Sequence, residues 1–245
     1  MLKKPLNTII TNIAHFYYKN SLKLTDGIQT VHPKPPYQSQ FNKIIPANIS
    51  MDEILDNPEE IHAYGAKDAE EFSFWVWRNC GIACVKMILD AHQKAPNKTM
   101  MDLTRRGIEL EGYITHQEGK FVDQGWFHHS LVKLLEENGL TAKSKKWQSL
   151  TTVANDIIKN NHVILSVMAP GRSYIQEDGS FKPKQNAKYG GHLILATSVT
   201  IENNAVSSIT VHDPRGLPNY QADLTISADI FNSIFSNMTI VVGSS

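Results

Sequence analysis

The spacing of apolar residues changes near residue 160, and this change limits the fold more than any other feature of the chain. Before it, apolar residues recur three and four positions apart; after it, they gather in short β-rich runs bounded by turn residues. Helical spacing buries one stripe of a cylinder, whereas the later runs fit strands with a buried face. Helices first and a sheet second is the order of an α+β domain.

Cys80 to His92 is the strongest predicted helix, with Cys84, Val85, Ile88 and Leu89 on one buried face. Asn79 precedes it and is expected to cap its first amides. Pro96 stops it. The stretch from Ile49 to Asn79 reads as mostly helical. Ser50 would cap Met51–Leu55, Asn57–Pro58 would break the run, and Asp68–Trp77 would resume it. Further helices are expected at Met100–Leu110, Gly125–Asn138 and Leu150–Asn160, the second closed by Asn138–Gly139 in a left-handed turn. Residues 1–34 read as an N-terminal extension with a short helix around Ile9–Tyr18. Pro33, Pro35 and Pro36 then force extended backbone. Residues 35–245 form one domain in this reading.

The strand signals follow. His162–Met168 is β-rich, and Tyr189–Val199 is a long apolar run with a glycine pair near its start. Val206–His212 comes after a turn at Glu202–Asn203–Asn204, so the two runs read as an antiparallel hairpin. Thr225–Ser236 reads as a late helix and Met238–Val242 as a closing strand.

Lys+Arg and Asp+Glu balance at 24 each, which removes the electrostatic case for a nucleic-acid partner. The densest basic run, Lys143–Ser144–Lys145–Lys146, fits a solvated strand edge. The two cysteines, Cys80 and Cys84, cannot build a disulfide framework, and a reducing compartment is the simpler expectation. Polar residues interrupt the N-terminal segment, so it does not read as a signal peptide. No stretch approaches the roughly 18–20 apolar residues of a spanning helix. A soluble, cytoplasmic protein without a membrane partner is expected, with export by a route that lacks a signal peptide left open.

The chemistry starts at Cys80. A thiol reacts as its thiolate, and the amides and dipole at a helix N-terminus favour that anion. Gly81, without a side chain, would let a substrate carbonyl approach. Cys84 lies one turn inside the helix and reads as a small buried hydrophobe. On spacing alone, Cys80 fits a core thiol as well as a nucleophile. A nucleophile also needs a base and a group that fixes the base's tautomer. His192 follows Tyr189–Gly190–Gly191 at the mouth of a buried strand, and Asp213 closes the next strand ahead of Pro214. If these strands pair, the two side chains emerge at the same end of the hairpin. Taken singly, they also fit a core histidine and a turn-former before proline.

Asn79–Cys80–Gly81–Ile82–Ala83–Cys84, Gly191–His192 and Asp213–Pro214 together resemble the C39-like branch of the papain-like cysteine peptidases. Pro36–Tyr37–Gln38–Ser39–Gln40 resembles that group's PYxSQ signature, whose last glutamine helps form the oxyanion hole. The resemblance runs from about Pro35 to the end and is specific at four short motifs. It implies a papain-like fold, with the nucleophile's helix packed on an antiparallel sheet that carries the base. It also implies a catalytic Cys80, His192 and Asp213, and Gln40 as the oxyanion donor alongside the Cys80 amide. The implied partner is a peptide or protein substrate, and no cofactor is implied. Two features depart from the pattern. About forty residues separate Gln40 from Cys80, with Phe74 six before Cys80 where many relatives place the glutamine. The membrane and ATPase domains joined to bacteriocin-exporting relatives are also missing, so a stand-alone member is expected and leader-peptide processing does not follow.

Phe72, Phe74, Trp75 and Trp77 are expected to pack mainly against the core. His128 and His129 are neighbours on a helix, point about 100 degrees apart and make a poor chelate, so no metal site is expected. The polar segment 171–188 fits either a flap over the groove or an ordinary connection. The leading expectation is a cysteine peptidase working through a thioester. An acyltransferase, transglutaminase or deamidase could use the same triad, and a silent binding module could keep the fold.

Overall fold

The computed structural model describes residues 24–42, 55–118, 120–170, 189–216 and 222–243. Its centre is an antiparallel sheet of seven strands. β1 is Gly27–Thr30, β4 Thr141–Lys146, β5 His162–Pro170 and β6 Tyr189–Glu202. β7 is Ala205–His212, β8 Leu224–Ser227 and β9 Phe235–Gly243. The strand order is β4-β9-β5-β6-β7-β8, and β1 pairs with β6 beyond the stretch that β5 occupies. The two-residue strands β2 (His116–Gln117) and β3 (Lys120–Phe121) form a separate small ladder.

Five helices on one side lead toward the sheet: α1 Pro58–Tyr64, α2 Ala69–Val76, α3 Cys80–Ala91, α4 Met100–Glu109 and α5 His128–Glu137. Two more are α6, Leu150–Ile158, and α7, Ala228–Ile234. The α+β architecture therefore holds, with helices on both faces of the sheet. One apolar core joins α3, α4 and α5 to Ile164, Leu193, Leu195, Ile240 and Val242. The other joins α6 and α7 to Val163, Leu165, Val167, Ile194, Ala196 and Val241. Because β5 and β6 are buried on both faces, they read as continuous apolar runs rather than alternating ones.

Several local expectations change. Asn57–Pro58 starts a helix instead of breaking one: the Asn57 side chain accepts from the Glu59 and Glu60 amides, and Pro58 occupies the first turn. A missing N–H costs nothing at that position. The late helix is shorter than predicted, because Leu224–Ser227 pairs with β7 as a strand before α7 begins. Gly27–Thr30, within the expected N-terminal extension, is a sheet strand. The Lys143–Lys146 run lies in β4, which pairs with β9 at the end of the sheet; Lys145 reaches back to Asp156 at 2.7 Å. The expected helix at Ile9–Tyr18, the Ser50 cap and the 171–188 segment lie outside the described residues. Among the described residues, no helix is long and apolar enough to cross a membrane.

Candidate active site

Helix α3 is the most buried helix among the described residues, with Gly81 to Val85 and Met87 to Leu89 all buried. Lys86 and Asp90 turn outward and pair one turn apart, at 2.6 Å. Cys80 is the first residue of this helix and is half-buried, whereas Cys84 is fully buried. Burial pushes the Cys84 thiol well above its ordinary value, and the nearby Cys80 and Asp213 add to the shift. Cys84 is therefore the inert hydrophobe expected of it.

Asn79 does not cap the helix. Its side chain is buried, and its amide nitrogen donates to the Tyr64 hydroxyl at 2.7 Å and to Thr104 Oγ1 at 2.8 Å. The pull of two buried acceptors, on α1 and α4, outweighs the local bond. Gly81 also has a different reason to be glycine. A Cβ there would stand 2.9 Å from Leu193 Cδ1, 3.0 Å from Leu131 Cδ1 and 3.3 Å from Trp126 Cβ. The missing side chain lets the start of α3 sit close against β6 and α5; it faces packed side chains, not a substrate.

The β6–β7 hairpin turns at Asn203 and Asn204, both at positive φ (52° and 59°), as a tight twisted connection requires. Its strands pair Leu195 with His212, so Asp213 leaves β7 at the end where His192 stands on β6. The His192 Nε2 lies 2.8 Å from Asp213 Oδ1. That contact leaves Nδ1 unengaged by Asp213, and Cys80 and His192 lie near enough for each to shift the other's proton affinity. Both side chains of the His–Asp pair are nearly closed to water, at 9% and 2% exposure.

These contacts set the charges. Burial pushes the Cys80 thiol up, but the His192 ring and the backbone N–H groups of Leu193 and Gly81 outweigh it and hold the thiol below its ordinary value. Burial pulls His192 down, yet Asp213 and Cys80 lift it above the usual histidine range, against an opposing push from Arg215. Burial alone would raise Asp213; Arg215 and His192 hold it well below the carboxylate range instead. The arrangement favours thiolate, imidazolium and carboxylate in a row.

The segment from Pro35 to Phe41 lies along the same end of the hairpin. His212 Nε2 meets the Pro35 carbonyl at 3.0 Å, and Tyr37 donates its hydroxyl to the Asp213 carbonyl at 3.0 Å. The Gln40 backbone N–H donates to the Pro214 carbonyl at 2.7 Å, and Ser39 Oγ donates to the same carbonyl at 3.4 Å. Phe41 then packs edge-on against Trp77, with ring centroids 5.0 Å apart, three residues ahead of Cys80. Gln40 is buried at 4% exposure. Gln40 thus lies beside the Asp213–Pro214 segment through its backbone.

The aromatics ahead of Cys80 divide. Phe72 and Trp75 are buried, while Trp77 keeps 39% exposure beside Phe41. His128 and His129 have separate partners: His128 Nε2 meets Ser166 Oγ at 2.8 Å, and His129 Nε2 meets the Leu110 carbonyl at 3.2 Å. Among the described residues, no group of three or more histidine, cysteine, aspartate or glutamate side chains is placed to hold a metal ion.

Sequence reasoning missed Arg215. Its backbone N–H donates to Asp213 Oδ1 at 3.0 Å, its Nε lies 3.2 and 3.1 Å from Oδ1 and Oδ2, and its Nη2 donates to Oδ2 at 2.6 Å. The available signal was the Asp-Pro-Arg order, since an aspartate before proline commonly bonds its own backbone two residues on.

No protein-family model matches the sequence, and no curated protein matches it. Solved structures do. The chain's fold is similar to that of a solved C39-like peptidase, the α+β fold that its motifs led to expect. A putative C39-like peptidase from Bacillus anthracis aligns over 89% of this chain and 98% of its own, with TM-score 0.51 and 11% identity. The peptidase domain of Streptococcus ComA, a bi-functional ABC transporter involved in a quorum-sensing pathway, aligns over 69% and 93%, with TM-score 0.44 and 15% identity. A double glycine motif protease from an AMS/PCAT transporter, solved in complex with a leader peptide, aligns over 68% and 85%, with TM-score 0.39 and 12% identity.

Proposed function

We propose that this protein is a cysteine peptidase that hydrolyses amide bonds of a peptide or protein substrate through a thioester. The observation that carries the reading is the His192 ring, held by the buried Asp213 carboxylate at 2.8 Å and lying near the Cys80 thiol, whose proton affinity it lowers. In this reading the Cys80 thiolate attacks the scissile carbonyl carbon and a C–S bond forms. The carbonyl electrons move to oxygen, and the backbone amide of Cys80 and the side-chain amide of Gln40 hydrogen-bond that oxyanion. The C–N bond then breaks as imidazolium His192 gives its proton to the departing amine. His192, now neutral, takes a proton from water, the resulting hydroxide attacks the thioester, and the acid leaves as the C–S bond breaks. Asp213 holds the His192 ring in one tautomer and orientation throughout.

The test is cleavage of a proteome-derived peptide library, with new termini located by mass spectrometry. Wild type is expected to generate a consistent set of new termini, absent with Cys80→Ala and at least about 10^4-fold slower to appear with His192→Ala. No cleavage, together with a Cys80 that alkylates no faster than a free thiol, would sink the proposal.

A further inference from the structure

Resting on that reading of the site, we propose that Arg215 is a positioning residue of the triad. It grips both oxygens of Asp213 and, by offsetting the carboxylate's charge, limits how strongly His192 is held as imidazolium. The geometry is a fork on a fork. One edge of the guanidinium, Nε with Nη2, spans the two carboxylate oxygens at 2.6 to 3.2 Å, and the Arg215 amide adds a third point at 3.0 Å. His192 reaches the same carboxylate at Oδ1, at 2.8 Å. The carboxylate is 2% exposed and the guanidinium side chain 13%, so water does little of the work of holding or screening them. A carboxylate bonded only to an imidazole can pivot about that contact; one bound on both oxygens by a planar fork cannot.

The charge has a second effect. An imidazolium beside an uncompensated buried carboxylate would hold its proton to high pH and release it reluctantly to a leaving amine. A cation on the far end of that carboxylate weakens the hold, and Arg215 does oppose the charge on His192. Other groups that face the site are Cys80 and Cys84 from α3 and Tyr37 from the segment along the hairpin end. Tyr113 faces Cys80 and hydrogen-bonds Asp123, which pairs with Arg78. Burial holds Tyr37 and Tyr113 far above neutral pH, so neither titrates with His192.

The experiment needs no substrate. Iodoacetate, an anion, alkylates a thiolate fastest while its histidine partner is charged. Its rate at Cys80 should therefore trace a bell whose alkaline limb reports loss of the His192 proton. The label is assigned to Cys80 by peptide mass spectrometry, in folded protein verified by circular dichroism. Arg215→Gln removes the charge: the alkaline limb is expected about one pH unit higher, with a plateau about tenfold lower. Arg215→Lys keeps the charge but not the fork, so the limb should stay in place while the plateau falls similarly. A folded Arg215→Gln whose limb is unchanged or lower overturns the charge role. Should that variant fail to fold, a wild-type plateau in Arg215→Lys overturns the positioning role. The control separates the levels. A wild-type bell abolished by His192→Ala confines any such failure to Arg215, whereas a wild type with no His192-dependent bell overturns the triad reading and this inference with it.

Discussion

Asn79 shows how a single side chain is recruited by its surroundings. Its amide nitrogen joins the Tyr64 hydroxyl to Thr104, and its Oδ1 has no hydrogen-bond partner among the described residues. The residue therefore ties α1 and α4 to the start of α3. Asn79→Ala should lower stability by about 2 kcal/mol, since it strips a shared donor from two buried hydroxyls. Asn79→Asp should cost more, because it buries a charge where no donor meets Oδ1. Urea unfolding midpoints compare the two, and an alanine variant as stable as wild type would show that the bridge is dispensable. Much of the candidate site's placement was legible at this scale. Cys80 opens a helix and Asp213 follows a strand, at boundaries that the sequence marks, and the hairpin register brings Asp213 to His192, three residues inside β6. What was not legible depends on tertiary neighbours. Asn79 is drawn off its cap by hydroxyls 15 and 25 positions away. The need for glycine at 81 comes from Leu193 and Leu131, which no local pattern reveals.

Between elements, the contact most open to measurement is a pair of histidines. His92 follows the last turn of α3, His162 opens β5, and their Nε2 atoms are 2.9 Å apart. One ring must donate and the other accept, so the contact requires at least one neutral histidine. Burial, helped by His92, pulls His162 down to about 4, and burial with Lys94 lowers His92. An unfolded His162 would take its proton near 6.5, so between pH 6.5 and 4 the unfolded chain binds more protons than the folded one. This site's contribution to stability therefore falls as pH drops through that window and levels off below it. The size is on the order of 3 kcal/mol. His192, held above its ordinary value, acts oppositely: its contribution is full below about 6.5 and lost as pH rises through the folded value. The clean measurement is thus a difference. The gap between unfolding free energies at pH 7 and pH 4.5 should narrow clearly in His162→Gln, and an unchanged gap would assign the acid sensitivity elsewhere. Element type was the easiest level to read. The helices at Cys80, Met100 and Leu150 and the strands at His162 and Tyr189 appear close to their expected bounds, because each carries a long periodic or apolar run. β1 was not readable: four residues, Gly27–Thr30, gain strand geometry only by pairing with residues 198–201.

Across the whole molecule, the sheet divides two cores that do different work. The core shared by α3, α4 and α5 supports the Cys80 end of α3 directly, through Leu131, Trp126 and Leu193 around Gly81. The opposite core, under α6 and α7, includes Phe231 and Phe235 with ring centroids 4.9 Å apart, and touches the site only through the shared strands. Strands paired on both sides, as β5 and β6 are, resist displacement from one face because moving them breaks ladder bonds on two neighbours. Stability and reactivity should therefore separate by face. Phe231→Ala, at a fully buried position, should remove about 3–5 kcal/mol. Where the variant remains folded, it should leave the pH profile of Cys80 alkylation in place. Leu131→Ala should cost about 2–5 kcal/mol and also slow Cys80 labelling, because the cavity opens against the helix turn that carries the thiol. Chemical unfolding and Cys80 labelling on the same two variants provide the comparison. If Phe231→Ala shifts the labelling profile as much as Leu131→Ala does, the sheet transmits strain between its faces and the two cores act as one mechanical unit. If it does not, the sheet is the rigid wall against which α3 is set, and only the first core tunes the reactivity of Cys80.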